Sequence, residues 1–287
     1  MEIEILKNFL TIAREGNMTS ASILLHLSQP TLSVQMKHLE EEFGRQLFIR
    51  HSRSLSLTEE GMILRERAIS ILSLVDKTKE EFETMDNLEG GEISIGCAES
   101  YLISNLAEKI ALLKKKYPLL RFHLLSGDTE IVTQRLDHGL LDFGIIVEPP
   151  KLEKYTYVQL PGEDHWGVLM REDDPLAKKD FITFQDLLPK NLICSEQSIE
   201  KDLPRWCKEK MEQLHFVGTC SLAYNAARFV EEGIGVYLTF ANLIDRGIKT
   251  PLCFRPLAPA LTNRMHLIWK KHQVFTPIAQ KLMELFL

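Results

Sequence analysis

Apolar and polar positions change rhythm once along this 287-residue chain, close to residue 90. Residues 1–57 carry short helical runs separated by polar turns, and from Thr58 to Glu89 one helical pattern continues without interruption until the pair Gly90-Gly91 breaks it. Beyond the pair, strands and helices alternate. EISIGC at 92–97 predicts a strand, 101–116 a helix, RFHLLS at 121–126 a strand, 129–138 a helix stopped by Gly139, and DFGIIV at 142–147 a buried strand. Pro149-Pro150 and the segment Leu160-Pro161-Gly162 separate off a second run of the same kind. It comprises WGVLMR at 166–171, NLICS at 191–195, a helix near 200–213, FVGTC at 216–220, a helix to Glu232, and GVYL at 235–238. HLIWK at 266–270 and a helix over 276–286 follow the second run and are expected to rejoin the first lobe. Two chain crossings would then form a hinge near 160–164 and 263–266.

The predicted organisation is therefore a helical domain at 1–57, a linker helix at 58–89 and an α/β region at 90–287. Within that region, lobe I is 90–161 with 266–287, and lobe II is 162–265. No period of 20 to 50 residues repeats, which argues against a solenoid or propeller.

The sharpest local signal lies between residues 19 and 43. Thr19 precedes a short helix containing Ala21, Leu24 and Leu27, and Ser28 is placed to cap the next, with Pro30 tolerated in its first turn. Leu32, Met36, Leu39 and Phe43 recur at spacings of 4, 3 and 4 and predict a buried stripe. Pro30, Ser33, Val34 and Lys37 then face outward. A solvated helix face ordinarily carries paired charges, whereas small polar groups, one apolar valine and one lysine suit base edges in a major groove.

Charge alone points elsewhere, since the whole chain carries −6. Residues 1–60 hold six basic groups against eight glutamates, but Lys37, Arg45, Arg50 and Arg53 cluster, with His38 and His51 beside them. Modest, salt-dependent affinity per domain favours binding through several copies. The linker supplies a means: 32 residues span about 48 Å, and Leu64, Ala68, Ile71, Val75, Phe82 and Met85 keep a heptad seam broken only at Thr78. Two chains can pair on it; a single helix lying along its own domain is the alternative.

Hydrophobic residues at 45% and charged residues at 26% exclude wholesale disorder. No apolar run approaches the ~18 residues of a membrane span and MEIEILKNFL lacks a basic leader, so a cytoplasmic chain with no membrane partner is expected. Five cysteines, Cys97, Cys194, Cys207, Cys220 and Cys253, form no CxxC pair, and nine histidines lack ligand spacing; neither a disulfide framework nor a metal is predicted. GIGVYL carries two of the three glycines of a dinucleotide loop, and GKS, GKT, HExxH and GxSxG are absent. No cofactor and no enzymatic role are expected.

The stretch NMTSASILLHLSQPTLSVQMKHLEEEFGRQLFIRHSRSLSLTEEG closely resembles the winged helix-turn-helix of the LysR-type transcriptional regulators. The likeness rests on Thr19, Ala21, Leu25, Ser28-Gln29-Pro30, Leu32-Ser33, Gln35, Leu39-Glu40, Phe43-Gly44, Leu47-Phe48, Arg50 and Leu57-Thr58-Glu59 at unbroken spacing. It implies that Gln29, Pro30, Ser33 and their neighbours Thr19, Ser28, Thr31, Val34 and Lys37 contact DNA, with Arg50, His51 and Arg53 on the wing. One departure is Val34, where members often carry arginine. Valine cannot grip guanine but packs on a thymine methyl, so an A·T-rich step is expected there.

EISIGCAES, LDHGLLDFGII at 136–146, LMREDDPLA at 169–177 and FVEEGIGVYL at 229–238 are similar to the same family's effector-binding region, two Rossmann-like lobes like those of a periplasmic solute-binding protein. LTF at 238–240 lacks the proline common after that strand's leucine. Strand ends and helix starts place the candidate effector residues at Glu99, Ser100, Tyr101, Asp128, Thr129, Ser195, Tyr224 and Asn225. Each could equally be a plain cap or core residue, and Glu99 could cap a helix or bind a cationic group. The partners implied are double-stranded promoter DNA, a small-molecule effector, a homodimer through the linker helix or a homotetramer, and RNA polymerase. A peroxide switch at Cys194 and Cys207 is the minor alternative to simple burial. A solute carrier or degenerate enzyme fused to a helical adaptor is the competing functional class.

Overall fold

Three short helices, a two-stranded wing and part of a long helix build the first of two units, Met1–Glu83; the second runs from Thr84 to Leu287. The computed structural model describes residues 1–51, 54–84, 90–147, 153–244 and 251–287. Arg53, Met85 and the end of the expected linker therefore lie outside the described residues.

Local caps set the helices of the first unit. After α1 (Ile3–Glu15), α2 (Met18–Leu25) starts two residues earlier than a helix preceded by Thr19 would, because Asn17 is the cap and accepts from the amides of Thr19 (2.8 Å) and Ser20 (3.1 Å). Leu27 falls beyond that helix and Leu24 is exposed. Ser28 does cap α3 (Gln29–Phe43), taking the Thr31 amide at 3.2 Å. Leu32, Met36 and Leu39 are buried, but Phe43 is 45% exposed. The chain turns at Gly44, and the space beneath the last turn is filled by Leu47 and Phe48 instead. The wing hairpin pairs β1 (Phe48–Arg50) with β2 (Leu55–Leu57), and Glu40 Oε1 fastens it to α3 through the amides of Leu47 (2.8 Å) and Phe48 (3.2 Å).

Helix α4 (Glu59–Thr84) begins under a cap from Thr58, whose Oγ1 takes the Gly61 amide at 2.9 Å. A Cβ at Gly61 would lie 2.2 Å from the Leu47 carbonyl, so only glycine permits this approach. The expected seam is corrected here. Leu64 and Ala68 pack into the first unit's own core with Leu6, Phe9 and Ile12, and Ile71 lies against it. The apolar residues that α4 leaves exposed are Met62, Ile63, Ile69, Leu74 and Phe82.

The second unit contains β3 (Gly90–Cys97), α5 (Ser104–Lys116), β4 (Leu119–Ser126), α6 (Thr129–Asp137), β5 (Phe143–Val147) and β6 (Tyr155–Gln159). There follow β7 (Asp164–Arg171), α7 (Phe184–Leu187), β8 (Asn191–Cys194), α8 (Leu203–Cys207), β9 (His215–Thr219), α9 (Ala223–Glu231) and β10 (Val236–Phe240). Then come β11 (Leu252–Pro256), β12 (Thr262–Asn263), β13 (Met265–Lys270) and α10 (Pro277–Glu284). Lobe I holds the sheet β4-β3-β5-β13-β6 and lobe II the sheet β11-β7-β10-β8-β9, with β12 beside β7.

β13 lies antiparallel between β5 and β6, so the chain does return to lobe I. The two crossings run side by side: Asn263 registers with Asp164, and the Leu160 amide donates to the Met265 carbonyl at 2.8 Å. One core joins the lobes, with Ile95, Phe143 and Leu267 continuous with Val168, Cys194 and Leu238. Three expectations differ from this. Gly90 and Gly91 belong to β3 rather than preceding it. The helix near 200–213 is a π-helical turn (Ser198–Asp202), α8 and a 3-10 turn (Lys208–Gln213), broken because Pro204 offers no amide to the preceding turn. β6, β11 and β12 were not anticipated, β6 because Tyr155 is its one fully buried side chain and no apolar run marks it.

Candidate nucleic-acid interface and ligand cavity

On the first unit, the start of α3 and the wing enclose a hollow of about 220 Å³ lined by Asn17, Met18, Thr19, Gln29, Ser33, Arg50, His51, Ser54 and Leu55. Five of the expected DNA-binding residues thus meet on one surface. Pro30, Thr31, Val34 and Lys37 stand exposed on α3 beside it, Val34 at 67%. The N-terminal cap leaves the first turn of α3 ordered while Ser28 and Thr31 share a hydroxyl contact of 2.7 Å. His51 is oriented by Ser56 across the hairpin at 3.0 Å, and Gly16 ties the wing to α1 by accepting the Leu55 amide at 2.7 Å. Among the described residues the Lys37 ammonium meets only Glu41, at 3.6 Å on an exposed face, a pair too weak to hold it from a phosphate.

On the second unit, a cavity of about 200 Å³ opens where strands of both lobes end. Its lining includes Ala98, Glu99, Ser126 and Asp128 from lobe I, and Trp166, Ser195, Gln197, Ser198, Asp202, Tyr237, Thr239 and Phe240 from lobe II. Of the eight expected effector residues, Glu99, Asp128 and Ser195 line it. Thr129 sits at its edge, its amide donating to Gln197 Oε1 at 2.7 Å. Ser100 is buried, donating to Asp164 Oδ2 at 2.5 Å and capping Leu102 at 2.9 Å, so its hydroxyl engages the crossing strand. Tyr101, Tyr224 and Asn225 are exposed and outside the lining. For the last two the helical period decides: Ala223, Ala226, Ala227 and Val230 form the buried face of α9, which turns Tyr224 and Asn225 outward, Tyr224 under Arg228.

Two side chains cross between the lobes and reach helix N-termini on the far side. Glu99 Oε2 of lobe I accepts the Ala223 amide of α9 at 2.7 Å, and Gln197 of lobe II accepts the Thr129 amide of α6. Sequence reasoning missed Gln197, Trp166, Asp202 and Tyr237. Only the Ser195-x-x-Ser198 cap, with the Ser198 amide on Ser195 Oγ at 3.2 Å, left a local trace of this wall.

The lysR-family bacterial regulatory helix-turn-helix signature matches residues 3–62, and the LysR substrate binding domain matches residues 86–287. The chain belongs to the LysR family. Among similar proteins, the HTH-type transcriptional regulator YtlI of Bacillus subtilis is 29% identical over 243 residues, covering 82% of this chain and 77% of YtlI. The uncharacterized HTH-type transcriptional regulator YnfL of Escherichia coli is 26% identical over 289 residues, covering 98% and 96%. Among solved structures, CbnR, a LysR family transcriptional regulator, shares the fold with a TM-score of 0.79 at 19% identity over 100% of this chain and 98% of CbnR. CbnR has also been seen complexed with its target DNA, in a chain of the same TM-score, 0.79.

This LysR-type protein is thus a DNA-binding transcriptional regulator carrying a substrate-binding domain, with an N-terminal helix-turn-helix and a two-lobed α/β region. Among its described residues no helix is long and apolar enough to cross a membrane. Burial raises the thiols of Cys194 and Cys207, the latter to about 11, and Cys97 also to about 11. Thiols held this far above neutral pH carry little thiolate, the form that reacts with peroxide, so the geometry favours burial over a redox switch.

Proposed function

We propose that this regulator binds promoter DNA by laying the first turns of α3 in the major groove, with Gln29, Ser33 and Val34 at base edges and Arg50 and His51 on adjacent phosphate or minor groove. The observation that carries the reading is the shared hollow in which Thr19, Gln29, Ser33, Arg50 and His51 converge beside an exposed Val34. Lys37 adds a phosphate contact, and Arg53 extends the wing set by the family resemblance. Two copies pair through α4, using the exposed Met62, Ile63, Ile69, Leu74 and Phe82. A tetramer would arise from further apolar surface on the second unit, such as Leu119, Phe122 and Leu124 on the edge strand β4.

In this reading a small molecule enters the interlobe cavity and shifts the lobe angle, and through the oligomer the spacing of the DNA heads and their contact with RNA polymerase. The protein works in the cytoplasm, where promoter and effector meet.

A mobility-shift titration on the DNA upstream of its own gene tests the interface. Retardation that weakens steeply with salt is expected, with a footprint of two related half-sites. Val34→Arg should move the preference at one step of each half-site from A·T toward G·C, by roughly tenfold at about 1.4 kcal/mol. Unchanged preference removes Val34 from the interface, and no retardation at low salt favours the solute-carrier alternative.

A further inference from the structure

The wall chemistry of the interlobe cavity narrows what can occupy it, an inference that rests on reading that cavity as the effector site. The described lining residues include three carboxylates, Glu99, Asp128 and Asp202, and among them there is no lysine, arginine or histidine. Asp202 Oδ1 is engaged by Asn263 Nδ2 at 2.6 Å and faces Arg205 at 3.4 Å, so it is the most neutralised of the three. Glu99 and Asp128 each hold one backbone amide, of Ala223 and Ile131, and no ion pair to either is seen among the described residues.

Helix N-termini near such a cavity would ordinarily attract an anion. Here four of the amides at these helix starts already have acceptors: Ala223 has Glu99, Thr129 has Gln197, Ile131 has Asp128 and Ser198 has Ser195. An entering carboxylate or phosphate would meet like charge in a partly dehydrated space. Trp166 and Phe240 line the same cavity, their rings 4.7 Å apart edge to face, and aromatic faces attract cations.

We propose that the cavity takes a small organic cation, an ammonium group on an apolar body of about one ring, with Glu99 and Asp128 as counterions and the Trp166-Phe240 pair against the body. The cation would also loosen Glu99 from Ala223, which links occupancy to the contact between lobes.

Benzylammonium, benzamide and benzoate, three probes of similar shape and different charge, read this out in thermal unfolding of the full chain. Benzylammonium should raise the unfolding temperature of the second unit by a few degrees and bind at least roughly tenfold more tightly than benzoate. Glu99→Gln combined with Asp128→Asn retains both backbone acceptors and removes the charge, so the cation's advantage over benzamide should vanish. Preference for benzoate, no response to benzylammonium, or an advantage that survives the double variant overturns the cationic assignment and leaves the effector site standing. A benzylammonium shift that persists when Ser221→Trp fills the cavity overturns the site as well.

Discussion

Helix N-termini are used in opposite ways in the two units of this regulator. In the first, α3 is capped by the residue before it, Ser28, and the face beyond the cap stands open to solvent. In the second, α6 and α9 receive acceptors from the opposite lobe, Gln197 and Glu99, separated from their donors by 68 and 124 residues. A local cap closes the helix end with a residue one position away, so the bond needs no other part of the chain. A cross-lobe cap makes the helix end report the lobe angle, since it is satisfied only when the lobes are in register. The two units thus differ in the sequence distance of the hydrogen bonds that close their helix ends.

The largest expected effect separates the units outright. Phe9 is fully buried with its ring 5.3 Å from that of Phe48, joining α1 to the wing. Phe9→Ala should destabilise the first unit by about 3–5 kcal/mol and abolish DNA retardation. In calorimetry the transition of the second unit, which has its own core, should stay in place; a joint loss of both transitions would show that the units fold as one.

A smaller effect is confined to the crossing. Asp164 is 4% exposed, and burial pushes its carboxyl up to about 6 against the pull of the Ser100 hydroxyl. The folded protein therefore holds this proton more tightly than the unfolded chain does. Its contribution is complete below the ordinary carboxylate range and is lost as pH rises from about 4 through about 6. Two pKa units correspond to about 3 kcal/mol. Asp186, held at about 2 by Lys179 and Thr183, titrates below that window and does not mask it. Asp164→Asn still offers Ser100 an acceptor, so the second unit should become more stable at neutral pH and its stability nearly flat across the window. Retention of the pH slope in the variant would assign it to another group.

The same distinction of sequence distance explains what could be read in advance. Ser28, Pro30 and the Leu32-Met36-Leu39 stripe act within one or two turns, and their roles were visible as spacing. β13 was legible as a returning strand because Leu267, Ile268 and Trp269 form a buried run. Phe43 departs from the stripe's periodicity because burial at the end of α3 depends on where the chain goes after Gly44. Leu64 and Ala68 fit a partner helix or their own domain equally well in sequence, because a heptad pattern does not say whether the covering surface belongs to the same chain. Gln197 and Trp166 left no pattern at all, since a cavity wall is assembled from residues far apart in sequence.

The smallest prediction tests the comparison most directly, because it removes one cap of each kind. Ser28→Ala takes the acceptor from the Thr31 amide and should destabilise the first unit by about 1 kcal/mol. The first turn of α3 would fray, so DNA affinity should fall at every sequence without a change of preference, and the second unit should be unaffected. Gln197→Ala takes the acceptor from the Thr129 amide, and with it a tie between the lobes. Asp128 still caps α6 through the Ile131 amide, so loss of secondary structure should be slight and the stability change at or below about 1 kcal/mol. The change belongs instead in lobe motion: amide exchange at Thr129 should accelerate, together with exchange at Ala223, since Glu99 is the second tie across the same gap. If only Thr129 responds, the two ties act independently and the helix ends do not sense the lobe angle together.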